Sequence, residues 1–222
     1  MDIPITFAIG DIHGCFEKLE SLLAACDAFR DSRRARFIFL GDYIDRGSRS
    51  KDVLDLLIKG GGERDRNFVC LRGNHEEMLM RAANRDRSDR DLMTWWGNGG
   101  EATLESYGVD DPSDLPIEHL AWLRSLPLET SDHHRIFVHA GIRPGVSLSS
   151  QSAEDLLWIR EPFLSSEEDH GNLVVHGHTP TRDHKPDLRL NRLNIDTGAC
   201  FGGPLTAAVF SNKERLALSF HQ

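Results

Sequence analysis

Three features of the 222-residue chain predict an α/β fold. Short runs rich in β-branched and aromatic residues, ITFAIGD, ARFIFLGD, RNFVCLRGN, RIFVHAG and NLVVHGH, each end in glycine beside a polar residue, the pattern of buried strands running into loops. Stretches with apolar residues at helical spacing separate the first three runs. Asp11, Asp42 and Asn74 close those three runs at intervals of roughly thirty residues, about one strand-helix-strand unit.

In chain order, the first run leads into CFEKLESLLAACDAF, where Phe16, Leu19, Leu22, Leu23 and Cys26 recur at helical spacing. The second leads into SRSKDVLDLLIKGGG, with Ser50 as the expected N-cap, Val53, Leu54, Leu57 and Ile58 on one face, and glycine at the stop. The first half therefore reads βαβαβ, and Asp11, Asp42 and Asn74 should surface together at the carboxyl ends of neighbouring parallel strands. From Glu77 to His134 the texture is that of a helical lobe with loops rather than strands. Its clearest piece is PIEHLAWLRSLP, with Ile117, Leu120, Ala121 and Leu123 as the apolar positions between two prolines. Trp95 and Trp96 in TWWGNGG read as packing at the base of this lobe in preference to a substrate entrance. Beyond Asp169, NLVVHGH, RLNIDTGA, LTAAVFS and RLALSFH are consecutive strand-like runs joined by short turns, which predict an antiparallel portion or a second sheet. No linker or repeat divides the chain, so residues 1–222 are expected to form a single catalytic domain with the lobe, 77–134, inside it.

Composition narrows the function classes. With 39% hydrophobic residues the chain is long enough to bury a substantial core. The opening MDIPITFAIGD has no basic leader and no stretch reaches membrane-spanning length, so a cytoplasmic protein without a membrane partner is expected. A net charge of -9 argues against a nucleic-acid surface, which needs a basic stripe. The alternating charges of Arg81 to Asp91 read as a solvated helix end or loop. Cys15, Cys26, Cys70 and Cys200 show no metal-binding spacing and read as free thiols.

The strand ends carry complementary chemistry. GDIHG, GDYIDRG, LRGNHE, HAG and HGHTP supply Asp11, His13, Asp42, Asn74, His139 and His178: two carboxylates, an amide oxygen and three imidazoles. That donor set suits manganese, iron or zinc better than calcium, whose ligands are all oxygens. A carboxylate can bridge two ions. With Asp42 in that role, Asp11 and His13 complete the protein ligands of one ion and Asn74, His139 and His178 those of the other.

The ordered set resembles the phosphoprotein phosphatase family of calcineurin-like metallophosphoesterases, in particular its short bacterial and phage members, and LRGNHE is the most specific of its motifs. The resemblance spans Gly10 to Pro180. It implies a sandwich of two mixed β-sheets flanked by helices, with a dinuclear site on the loops at strand ends. Pro180 stands where broader metallophosphoesterases carry a further histidine, which favours the phosphoprotein phosphatase branch. By alignment with the family's GHTP, His178 rather than His176 is the ligand, with a contribution from His176 left open. The resemblance further implies that water activated by the ions attacks phosphorus directly, that Arg46 and Arg160 bind phosphate oxygens, and that His75, oriented by Asp45, protonates the leaving oxygen. For Arg160 a surface ion pair is the competing reading. The substrate expected is a phosphoprotein or phosphopeptide hydrolysed at serine or threonine, with a dinucleoside polyphosphate as the alternative. A metal-stabilised binding module without catalysis is the third reading, disfavoured because all six ligands and the Asp-His pair are present. His119, His133, His134, His170, His184 and His221 have no ligand spacing, and Asp196 in NIDTGA reads as a turn aspartate.

Overall fold

The structure is a computed structural model that describes residues 5–60 and 66–222. Residues 1–4, and the Gly61 and Gly62 expected to stop the second helix, lie outside the described residues. Strands β1 (Ile5–Ile9), β2 (Ala35–Phe39) and β3 (Arg66–Cys70) are adjacent and parallel, joined by α1 (Phe16–Arg30) and α2 (Ser50–Ile58). Helices α3 (Asn74–Ala82), α4 (Asp89–Gly97), α5 (Glu101–Tyr107) and α6 (Ile117–Ser125) follow. Then come β4 (Glu129–Ser131), β5 (Arg135–Val138), α7 (Ala153–Trp158) and β6 (Leu173–His176). The chain closes with β7 (Asp187–Leu188), β8 (Arg192–Asn194), β9 (Ala207–Ser211) and β10 (Ser219–His221).

Two five-stranded mixed sheets result, in the orders β10-β9-β1-β2-β3 and β4-β5-β6-β8-β7. Side chains alternate across each strand, so the first sheet presents two different faces. Ala8, Ile38 and Phe210 point between the sheets against Phe137, Val175 and Leu193. Phe7, Phe37 and Phe39 point outward against the helical layer with Leu19, Leu54 and Leu79. A third cluster, including Val138, Val174 and Phe163, covers the far face of the second sheet. The fully buried Arg135 ties the sheets at one end: its guanidinium donates to Asp132 and to the carbonyls of Ser211 and Glu214, and lies over the Phe210 ring.

Several sequence expectations change in detail. Ser50 is the first helical residue of α2, not its cap; its hydroxyl accepts the Asp45 N–H instead. In α6, Leu120 and Leu123 are buried, but Ile117 and Ala121 face solvent, because only one side of that helix meets α3 and α2. The lobe region contains a strand, β4, because the edge of β5 is open for antiparallel pairing there. The late strands supply both expected alternatives, part of a second sheet and an antiparallel portion. Strand β6 pairs in parallel with β5 and β8, whereas β9 returns to the first sheet antiparallel to β1 and β10 pairs antiparallel to β9 at its edge. No helix among the described residues is long and apolar enough to cross a membrane.

Candidate metal centre

Parallel pairing puts the ends of β1, β2 and β3 side by side; the loops after β1 and β2 carry Asp11, His13 and Asp42, and the first residue of α3 after β3 is Asn74, all buried. The second sheet delivers His139 after β5 and His178 after β6 to the same place. Asp42 stands between two groups of histidines. Its Oδ2 lies 3.4 Å from His13 Nε2 and 3.9 Å from His75 Nε2, and its Oδ1 lies 3.4 Å from His139 Nε2. His13, Asp42 and His75 form one cluster of candidate ligand atoms, and Asp42, His139 and His178 a second, so Asp42 belongs to both.

The backbone pays for this convergence with strain. Eight non-glycine residues among those described have positive φ, and five are site residues: His13, Asp42, Asp45, Arg46 and His178. Such conformations are held only where surrounding contacts over-determine them, and they concentrate at functional sites. Two glycines are required by close approach: a Cβ on Gly177 would come within 2.0 Å of Asp11 Oδ1, and one on Gly73 within 2.2 Å of Asp42 Oδ1.

The donors fit divalent ions. His139 donates Nδ1–H to the Leu40 carbonyl at 2.9 Å, so its neutral ring turns a lone pair at Nε2 toward Asn74 Oδ1, 2.8 Å away, and Asp42. Lone pairs facing one another call for a cation between them. His13 is oriented in the same way by Nδ1–H donation to the Ile44 carbonyl. Asn74 Oδ1 also lies 2.8 Å from His178 Nδ1, while His178 Nε2 is buried without a partner. Burial pushes the His13 and His178 imidazoles down to about 3 and lowers His139 as well, keeping all three neutral, as metal ligation requires. For Asp42, burial works against the charge, but in acid, where the surrounding rings take up protons, His139, His75, His13 and His178 outweigh it and hold the carboxyl below its usual range. Asp11 moves the other way: burial, Asp196 and Asp42 raise it well above its usual value. Its Oδ2 accepts the His178 N–H, and its Oδ1 is buried without a partner, outside the cluster that groups His13 with His75. A bound cation would relieve that orphan oxygen.

His75 heads α3 and is buried, with Nδ1 2.7 Å from Asp45 Oδ2. Burial disfavours the imidazolium, yet Asp42 and Asp45 outweigh it and raise His75 above its ordinary value. Asp45 is itself fully engaged. Trp95 Nε1 donates to both its oxygens at 3.0 and 3.1 Å, and Thr103 Oγ1 to Oδ1 at 2.7 Å. Trp95 thus packs as expected and also supports the Asp-His pair, a role its sequence context did not signal. Glu76 is a second residue that the sequence reading did not single out. Its buried carboxylate accepts the backbone N–H groups of Asp42, Tyr43 and Gly73, each at 2.8 Å, although the LRGNHE motif contains it.

Arg46 is exposed, with Nη1 2.8 Å from His13 Nε2 and its guanidinium over the Phe201 ring. Arg160 is exposed near enough to His178 to act on it electrostatically, and neither arginine has a carboxylate partner among the described residues. His176 is buried edge-on to Phe163 with Nδ1 on the Gly177 carbonyl, apart from both clusters. Asp196 makes the expected turn, accepting the Gly198 N–H, and also lies close enough to Asp11 to raise it.

Comparison with known proteins gives a consistent picture. The sequence model of the calcineurin-like phosphoesterase family matches residues 6–203. Serine/threonine-protein phosphatase 1 of Salmonella typhimurium is 32% identical over 214 residues, covering 91% of this chain and 90% of that protein. The asymmetrical bis(5'-nucleosyl)-tetraphosphatase PrpE of Oceanobacillus iheyensis is 28% identical over 241 residues, covering 96% and 92%. In structure, the cold-active protein-tyrosine phosphatase of a psychrophilic Shewanella species superposes with a TM-score of 0.67 at 17% identity, covering 95% of this chain and 76% of that one, a likeness of fold.

Proposed function

The chain belongs to the calcineurin-like phosphoesterase family, whose members are metal-dependent hydrolases of phosphoester bonds, and from that premise we propose that it is a dinuclear phosphomonoesterase acting as a protein serine/threonine phosphatase. The observation that carries this reading is the Asp42 carboxylate shared by two histidine clusters, with the buried His75-Asp45 pair at its edge. Asp11, His13 and Asp42 would hold one ion and Asp42, Asn74, His139 and His178 the other, and the mixed nitrogen and oxygen donors suit manganese, iron or zinc. When bound, the two ions lower the pKa of a water and neutralise the phosphoryl oxygens. Arg46 and Arg160, without carboxylate partners among the described residues, offer planar forks of donors to the remaining phosphate oxygens. His75 donates a proton from Nε2 to the leaving oxygen, while Asp45 keeps Nδ1–H oriented and stabilises the charged ring. Water is the nucleophile, so no residue of the chain is phosphorylated. Residues 1–222 act as one catalytic domain in this reading.

A second reading, hydrolysis of dinucleoside tetraphosphates, is supported by the similarity to the Oceanobacillus tetraphosphatase over nearly the whole chain. The test compares turnover of a phosphoserine peptide and diadenosine tetraphosphate in Mn²⁺, with and without chelator. Peptide hydrolysis abolished by chelator supports the first reading. Nucleotide cleavage far exceeding peptide hydrolysis favours the second, and no turnover on any phosphoester would refute both.

A further inference from the structure

Directly beyond His178 the loop from Thr179 to Asp183 forms one wall of a cavity of about 420 Å³, within the size range of ligand sites. Leu164, whose N–H donates to the Arg160 carbonyl at 2.8 Å, also lines it, so the cavity is bounded by the chain segments that directly follow His178 and Arg160. In a chain of net charge -9, this cavity reverses the sign: Arg182, Arg189 and Arg192 line it against Asp183 and Asp187.

The polar atoms there are not balanced among themselves. Arg192 is 5% exposed and pairs with Asp187 at 3.0 Å, but Asp187 also serves Arg189 at 2.8 Å, so one carboxylate faces two guanidinium groups. Arg192 donates Nη2 to the Leu164 carbonyl and leaves Nε buried without a partner. The hydroxyls of Thr179 and Thr181 are likewise buried and unpartnered. Arg182 is exposed at the rim and has no ion-pair partner among the described residues. Asn194, which donates to the Thr179 carbonyl at 2.7 Å, holds this wall in place. Buried donors left over beside excess positive charge are matched by an anion with several acceptor oxygens.

We propose that this cavity is a second anion subsite, which binds a phosphate or carboxylate carried by the substrate next to the phosphate being cleaved. The proposal rests on the phosphoester-hydrolase reading and deepens it: preferred substrates carry two neighbouring anionic groups. The shared chemistry has two sources, the further phosphates of a dinucleoside polyphosphate and an acidic residue flanking the phosphorylated position of a peptide.

The test measures kcat/KM of the Mn²⁺-loaded protein, Arg182→Gln and Thr181→Val on four substrates. These are p-nitrophenyl phosphate, diadenosine tetraphosphate, and a phosphoserine peptide with either Glu or Gln at the flanking positions. Removing one charge-assisted donor should lower kcat/KM about 5–10-fold on the substrate with a second anion and less than twofold on p-nitrophenyl phosphate. A loss confined to the nucleotide identifies phosphate as the ligand, and a loss confined to the Glu peptide identifies carboxylate. Equal losses on all four substrates, or none on any, overturn the subsite. Calorimetric titration with tripolyphosphate gives a readout that needs no turnover. If the protein hydrolyses nothing, so that the phosphoesterase reading fails, weaker tripolyphosphate binding by Arg182→Gln still supports the subsite, and unchanged binding overturns it.

Discussion

Replacing Glu76 by Gln should damage the metal centre without replacing any metal ligand. Glu76 Oε2 accepts the N–H groups of Asp42 and Gly73, and Oε1 that of Tyr43, all at 2.8 Å and all buried. Burial and Asp42 push its pKa up to about 7, and the three N–H donors act the other way by favouring the ionised carboxylate. The amide keeps one acceptor for the Asp42 and Gly73 N–H groups and turns its NH₂ against the Tyr43 N–H. One charge-assisted bond is lost, two weaken to neutral ones, and two donors face each other, a cost of about 2–4 kcal/mol. For a chain of this size that is a fall of roughly 5–15 °C in Tm. Because those N–H groups hold Asp42 in its strained backbone conformation, with φ of 54°, metal affinity should fall about 10–100-fold as well. Calorimetry and metal titration read the two effects. The neighbouring Glu77→Gln, which weakens a partly buried pair to Arg72 and a more exposed one to Arg81 but leaves the cradle intact, should cost about 1 kcal/mol. If Glu76→Gln melts and binds metal like Glu77→Gln, the cradle does not support Asp42 and the reasoning fails.

Other perturbations separate the parts of the site. His75→Asn should keep metal stoichiometry and lose about 10²–10⁴ in kcat, most on substrates with poor leaving groups; intact turnover of such a substrate would remove His75 as the acid. Asp42→Asn should bind fewer than two ions as well as lose activity, and full occupancy measured by elemental analysis would refute the bridging role. Trp95→Phe preserves the aromatic packing but removes the N–H shared by both Asp45 oxygens, so kcat should fall several-fold with KM and metal content unchanged. An unchanged kcat would show that Thr103 and His75 suffice to position Asp45. Burial pushes Cys26 and Cys70 up to about 12, so at pH 8 their reactive thiolates are scarce and a disulfide reagent should label them only after unfolding. Rapid reaction of either in the folded protein would contradict their burial.

The chain itself determined the α/β order and the chemistry. Strand-ending motifs are legible because each is local: a short apolar run, a glycine that permits close approach, and a ligand-type side chain follow one another within a few residues. The roughly regular spacing of Asp11, Asp42 and Asn74 was enough to place them at neighbouring strand ends, since parallel pairing leaves little freedom once strand and helix lengths are set. Which strands close the two sheets was not legible. The runs after Asp169 look alike in sequence, and only the competition for burial between two sheets sends β8 to one and β9 and β10 to the other. The helical lobe shows the same limit: Ile117 and Leu120 are equally apolar, but Leu120 meets the core and Ile117 meets water. The supports of the site are also tertiary. The grip of Trp95 and Thr103 on Asp45, fifty and more residues earlier, and the cradle of Glu76 around Asp42 join groups by hydrogen bonds that no short-range pattern records. Sequence fixes which donors the chain carries. Packing alone decides which strained backbone can be held, and so which donors meet.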